Sequence, residues 1–87
     1  MISRLYMTPE QIAAEESARA EKARANRLRA FRRRRDAKLA ECDWTQLADS
    51  PLSPAEKAAW AAYRQALRDV PETANAEGWV TWPTKPA

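Results

Sequence analysis

Few side chains in this sequence could support catalysis or bind a metal ion. The 87 residues include no His and a single Cys, Cys42. A zinc site, a Ser-His pair and a Cys-His pair all need His or further Cys residues, so the sequence excludes them. Gly also occurs once, at Gly78, which excludes a glycine-rich phosphate-binding loop. We therefore expect a protein that is not an enzyme and that holds no metal or cofactor.

Arginine is one of the two residue types that remain for binding a partner. Ten cations and two anions lie between Arg19 and Lys38, a local charge of +8 in a chain whose total is +3. The run Arg32–Arg35 could bind nucleic acid, dock on an acidic protein or form a solvated helix surface. Four successive residues spread around a helix instead of forming one face, which disfavours nucleic acid. Arg33 and Arg34 are candidate contacts to a protein.

Tryptophan is the second residue type that could bind a partner. The C-terminal residues Trp79, Val80 and Trp82 are too apolar for a free tail. In an extended chain Val80 and Trp82 point one way and Trp79 the other. We expect one side to pack on the protein and the other to contact a partner, since Trp is common at binding hot spots. Trp44 is a further candidate for partner binding, although it could also close the open end of a helix pair.

Two helices are predicted to position these residues. Thr8-Pro9-Glu10-Gln11 has the pattern of a helix start, and a segment free of Gly and Pro follows. We predict a helix from about Pro9 to Cys42. Ser53-Pro54-Ala55-Glu56 repeats the pattern and predicts a second helix, which Pro71 ends near Val70.

The apolar spacing predicts how these helices pack. Residues before about Asn26 are Ala-rich and charged, so that half of the first helix has no broad apolar face. The later half faces the second helix in an antiparallel hairpin. Arg35 interrupts its apolar stripe, so it must either pair with a carboxylate, for which Glu56 is a candidate, or extend to solvent. The expected fold class is all-α, with an N-terminal helical extension (residues 1–31) and a hairpin with an extended tail (residues 32–87). The predicted core consists of Leu28, Phe31, Leu39, Trp60, Tyr63 and Leu67.

Three motifs resemble a known family. They read Arg35-Asp36-x-Lys38-Leu39-x-x-Cys42-Asp43-Trp44-Thr45-Gln46-Leu47-x-Asp49-Ser50-Pro51-Leu52, then Trp60-x-x-Tyr63-Arg64-Gln65-x-Leu67-Arg68-Asp69-x-Pro71, then Val80-x-Trp82-Pro83. In this order they resemble the phage tail assembly chaperone proteins, and the last two resemble the C-terminal part of tail-fibre assembly proteins. The resemblance covers about residues 35–83. At Cys42 a small polar residue such as Ser is common in the family.

The resemblance implies a factor that binds an unassembled tail or tail-fibre protein in the host cytoplasm. An alternative is a structural component that stays in the virion tail, and a basic nucleic-acid-binding module is a third. Self-association through the N-terminal helix is a further expectation. No apolar run reaches the roughly 20 residues of a membrane span, and we expect no contact with a membrane.

Overall fold

The computed structural model describes residues 6–87, and the first five residues of the expected N-terminal extension lie outside that range. Helix α1 spans Pro9–Glu41 and helix α2 spans Pro54–Arg68. Short 3-10 segments follow each helix, at Asp43–Gln46 and Val70–Thr73. Residues 6–87 contain no strand, and the predicted all-α fold class is confirmed. No helix in that range is long and apolar enough to cross a bilayer.

Both helices begin at the caps that the sequence predicts. The Thr8 hydroxyl accepts from the Gln11 N–H at 3.2 Å, while the Gln11 side chain accepts from the Thr8 N–H at 2.8 Å. Ser53 and Glu56 exchange the same two bonds at 2.9 and 3.1 Å. The helix ends differ slightly from the prediction. Helix α1 ends one residue early. Helix α2 ends two residues early, because Pro71 tightens the chain around Val70 into a 3-10 segment.

The core lies beside the C-terminal half of α1. Tyr63, Leu67, Val70 and Cys42 are buried. Leu39 and Trp60 are half-buried and pack against this core; Leu28 and Phe31 are also half-buried. Cys42 and Val70 continue the apolar spacing of the two predicted helices, but they were not among the predicted core residues.

The N-terminal part of α1 projects away from the core. Residues 9–23, here called the arm, are exposed apart from Ile12 and Glu15, which are half-buried. The molecule measures 66 × 20 × 16 Å, with a radius of gyration of 20.1 Å. A compact chain of this length would have a radius of gyration of about 12 Å. The elongation follows from the absence of an apolar face on the arm, which gives it nothing to bury against the core.

Two arginines join the helices, because each one lies on one helix and caps the C-terminal end of the other. Arg64 on α2 donates to the Leu39 carbonyl at 2.9 Å, the Cys42 thiol sulfur at 3.1 Å and the Asp43 carboxylate at 2.8 Å. From α1, Arg35 donates to the Arg68 carbonyl at 3.4 Å. The last carbonyls of a helix lack partners within it and carry partial negative charge, so a guanidinium is well matched to them.

Arg64 is the stronger of these two contacts. Its side chain is only 11% exposed. Burial lowers the pKa of Arg64, but the hydrogen bonds to Cys42 and Asp43 outweigh that effect and the net direction is upward. The group therefore stays charged. The expected Arg35–Glu56 pair is wrong, because Arg35 instead bonds Asp36 at 3.1 Å and Glu56 is taken up by the Ser53 cap.

The loop between the helices is fixed by polar side chains. Thr45 is fully buried and its hydroxyl donates to the Cys42 carbonyl at 2.7 Å. Gln46 donates to the Lys57 carbonyl at 3.2 Å, and the Lys57 ammonium donates to the Leu47 carbonyl at 3.0 Å. These bonds hold the loop against the first turns of α2.

We expect Arg64→Ala to lower the free energy of unfolding by about 2–3 kcal/mol, because it removes charge-assisted bonds at a nearly buried position. Arg64→Lys should recover less than half of the loss, since an ammonium cannot reproduce the planar fork. Arg68→Ala is the matched control on the same helix, with an expected effect below about 0.5 kcal/mol. Urea titration measures all three, and equal losses for Arg64→Ala and Arg68→Ala would contradict the capping role.

The cap of α2 should depend on pH. Hydrogen bonds from the Ser53 backbone and then from its side chain lower the pKa of Glu56. A lowered pKa stabilises the fold above the ordinary glutamate value of about 4.3, and that contribution disappears as the pH falls through the folded-state value. Thermal melts of the wild type and Glu56→Gln should therefore converge between about pH 5 and pH 3. A constant difference between their melting temperatures would show that the carboxylate charge has no role in the cap.

Candidate partner-binding surface

The C-terminal tail is positioned by a tight turn at residues 75–79. The Asn75 side-chain oxygen accepts from the N–H groups of Glu77 and Trp79, both at 3.0 Å. The Asn75 N–H donates to the Trp79 carbonyl at 2.9 Å, and the Gly78 N–H donates to the Asn75 carbonyl at 3.0 Å. These four bonds reverse the chain and direct Trp79 onto α1.

Gly78 lets this turn approach α1 closely. Its φ angle is +88°, a conformation that side-chain-bearing residues rarely adopt. A Cβ atom at this position would lie 2.8 Å from Cγ of Arg24. The only glycine of the chain therefore stands where both the backbone angle and the neighbouring helix require it. Asn75 followed by Gly78 three residues later is the sequence signal for this turn, which the prediction of an extended tail left out.

Arg27 holds the turn against the helix. Its Nε donates to the Glu77 carbonyl at 3.1 Å, and its Nη2 donates to the same oxygen. The guanidinium carbon also lies 5.0 Å from the centroid of the Trp79 ring, within cation–π range. One arginine thus fixes both the backbone and the first aromatic side chain of the tail.

Phe31 is the apolar centre of the tail contact. Its ring centroid lies 6.0 Å from that of Trp79 and 6.1 Å from that of Trp82. The sequence analysis placed Phe31 against α2, but the structure gives it two tail tryptophans as neighbours. Phe31 and Leu39 differ by roughly 80° around a helix of 3.6 residues per turn. The apolar side of α1 is therefore wide enough to hold α2 along one edge and the tail along the other.

The tail follows α1 in the same direction as the helix. Gly78 contacts Arg24, while Trp82 lies under Arg34 and Lys38, each with its charged group 5.6 Å from the ring centroid. From residue 24 to residue 38 a helix rises roughly 21 Å. Seven extended residues from 78 to 85 span roughly 23 Å. The matching lengths bring Lys85 to the end of α1.

At that end an aromatic groove opens to solvent. The ring centroids of Trp44 and Trp60 lie 6.4 Å apart, and those of Trp60 and Tyr63 lie 5.7 Å apart. The Lys85 ammonium lies 5.8 Å from the Trp60 centroid. Together with Lys38, Glu41 and Cys42 these residues line a cavity of about 190 Å³. Burial raises the pKa of the Tyr63 hydroxyl, with smaller contributions from Cys42 and Glu41, so the phenol lines the groove in its neutral form.

The candidate contact residues of the sequence analysis differ in how accessible they are. Trp79 is 55% exposed and Trp44 is 46% exposed, and Leu47, which was not predicted, is 55% exposed. Val80 and Trp82 are half-buried and pack against the protein's own core. Arg33 and Arg34 are both exposed, and the Arg34 guanidinium also lies over the Trp82 ring. Trp79 is thus the more exposed of the two tail tryptophans, although its ring also contacts Phe31 and Arg27 on α1.

Within residues 6–87, no three or more His, Cys, Asp or Glu side chains are grouped so that they could hold a metal ion. The groove instead offers aromatic walls, two ammonium groups and one carboxylate. Such an arrangement can hold one large apolar side chain with an acidic neighbour.

A family model described as phage tail assembly chaperone protein matches residues 17–87, about four fifths of the chain. The match begins at residue 17, whereas the motifs indicated a resemblance from residue 35. No curated protein and no solved structure matches the chain significantly.

We expect Gly78→Ala to destabilise the docked tail by about 1–2 kcal/mol, because a Cβ is strained at this backbone angle and meets Arg24. Glu77→Ala is the matched control, since Glu77 contributes only backbone groups to the turn. Limited proteolysis measures the result, with faster cleavage within residues 74–87 of the Gly78 variant. Equal cleavage rates in the two variants would show that this turn does not hold the tail.

Proposed function

The chain belongs to the phage tail assembly chaperone family, and on that basis we propose that it binds an unassembled tail or tail-fibre protein. Membership in the family assigns it a general role in tail assembly. The proposed step is to cover apolar surface of this client until the particle forms. It requires binding alone, without a catalytic residue or a cofactor.

Exposed apolar side chains around the aromatic groove carry the proposal. Trp44, which lines the cavity with Trp60 and Tyr63, remains about half exposed in the folded chain. Leu47, three residues farther along the chain, is about half exposed as well. Large apolar groups that stay exposed on a small protein commonly mark a surface for a protein partner. Anchors that fill pockets provide much of the energy of such contacts, and Trp is prominent among them.

The tail contributes a second part of the proposed surface. Trp79 is exposed on one side while its ring rests against Phe31 and Arg27. Trp82 and Val80 hold the tail in place, and we assign them an indirect role in client binding. The N-terminal extension, expected as residues 1–31, is proposed as the adapter that gives the client a longer contact surface. Tail contacts reach back to Arg24, so residues 24–31 serve the tail as well.

The basic run fits protein binding better than nucleic-acid binding. Arg27 holds the turn, Arg35 caps α2, and Arg34 lies over an aromatic ring. Arginines that already make these intramolecular contacts are less available to bind phosphate groups. Arg32 and Arg33 are exposed but lie on different sides of the helix, as successive residues do.

We propose that the protein acts in the host cytoplasm during assembly. Its alternative role, a permanent component of the virion tail, would use the same surfaces. Mass spectrometry of purified particles distinguishes the two. The chaperone role predicts absence from mature particles, whereas a fixed stoichiometric amount in the particle would establish the structural role instead.

We expect Trp44→Ala and Leu47→Asp to weaken client binding by about 2 kcal/mol, or roughly thirtyfold, because each removes a desolvated anchor. Arg33→Glu is the control, with an expected change below about threefold, because an exposed charge is screened at physiological salt. The client is first identified by pull-down from infected cells, and each variant is then titrated against it.

Circular dichroism of each variant confirms that the helices are retained. If Arg33→Glu abolishes binding while Trp44→Ala and Leu47→Asp bind normally, the client contacts the basic side of α1. The aromatic groove would then have no part in the proposed function.

A further inference from the structure

The two ends of α1 have surfaces of opposite character. The arm tip, residues 9–18, contains Glu10, Glu15 and Glu16 and no cation. Ile12 is the only large apolar residue in it, and Tyr6 just before the helix is 82% exposed. Glu15 pairs with Arg19 at 2.5 Å, just beyond the tip. This end therefore presents one half-buried apolar side chain among acidic residues.

The aromatic groove at the other end is complementary to this tip. Its walls are Trp44, Trp60 and Tyr63, and its rim carries the cations Lys38 and Lys85 against one anion, Glu41. The adjoining α1 segment, residues 27–38, holds seven cations and one anion. The cavity of about 190 Å³ is smaller than pockets for drug-sized ligands, which begin at about 300 Å³. It suits a single large side chain with an acidic neighbour.

The tip and the groove of one molecule cannot meet. Helix α1 is continuous from Pro9 to Glu41, and residues 10–50 contain neither Gly nor Pro to bend it. Ile12 and Lys38 are separated by roughly 39 Å along the helix axis. Any contact between these complementary surfaces must therefore form between two molecules.

We propose that two copies of this chain pair with their α1 helices antiparallel, each inserting its Ile12 tip into the aromatic groove of the other. In an antiparallel pair the distance from tip to groove is the same in both copies. The two contacts therefore form at the same time and are related by one two-fold axis. The stretch of α1 that follows Ile12 is Ala-rich, at positions 13, 14, 18, 20, 23 and 25. Small side chains let the helix axes approach closely. This dimer forms without a client, but it fills the groove proposed for the client, so a client that binds there must displace the partner's tip.

Sedimentation equilibrium of the full-length protein, from about 1 µM to about 1 mM, tests the proposal. The wild type should show a monomer–dimer equilibrium. Ile12→Asp should weaken it by roughly a hundredfold, because a two-fold dimer contains the contact twice and each loss of about tenfold multiplies. The added carboxylate keeps the tip acidic, so the loss reports the missing apolar anchor. Ile12 lies outside the core, and circular dichroism confirms that α1 is intact.

A charge exchange tests the register. Glu10→Lys and Lys85→Glu should each weaken the dimer, and the double variant should recover most of the loss. Glu72→Lys is the matched control, with the same change of charge on an exposed residue outside the tip, the groove and α1, and should have little effect. A chain that stays monomeric at all concentrations would overturn the proposal. So would a dimer that Ile12→Asp leaves unchanged, or a double variant without recovery. Client titrations with the same Ile12 variant measure the proposed function separately.

Discussion

Hydrogen bonds from arginine to main-chain carbonyl oxygens are the interaction on which this small fold depends. Arg64 binds the end of α1, Arg35 binds the end of α2, and Arg27 binds the turn before the tail. Each bond joins two elements that share little apolar area, because α1 buries no residue completely. With only four buried apolar side chains in residues 6–87, close packing alone leaves the elements weakly fixed. The guanidinium groups supply direction as well as energy, since their planar donors accept few geometries.

The same constraint explains which parts of the structure could be predicted. Helix starts depend on local patterns such as Ser53 with Glu56, and both were found in the sequence. The partners of Arg35 and Arg64 could not be found in the same way, because a carbonyl acceptor exists at every residue and leaves no mark in the sequence. A carboxylate partner such as Glu56 was the reasonable expectation from residue types, and it was wrong.

The path of the tail could be predicted only in part, for a different reason. Its apolar residues showed that it packs on something, but the choice between the protein and a partner depends on which side of α1 remains open. That side is decided by the offset of about 80° between Phe31 and Leu39 around the helix. Treating both residues as one apolar stripe does not show this offset. The exposed residues of the candidate surface were harder still. Leu47 has no periodic pattern, and its exposure results from the way Thr45 and Gln46 fold the loop.

The fold also separates the two proposed binding surfaces, the arm tip and the aromatic groove, along one rigid axis. Arg27 and Phe31, in the middle of α1, hold the tail. The arm extends beyond the docked tail at one end, and Lys85 reaches the groove at the other. Because α1 has no hinge, the arm tip and the groove keep a fixed separation whatever each one binds. A partner that contacts both must therefore be about as long as the helix, or it must be two molecules. This geometric requirement selects elongated or paired partners over small globular ones, and it follows from a helix whose first half has no apolar face to fold back with.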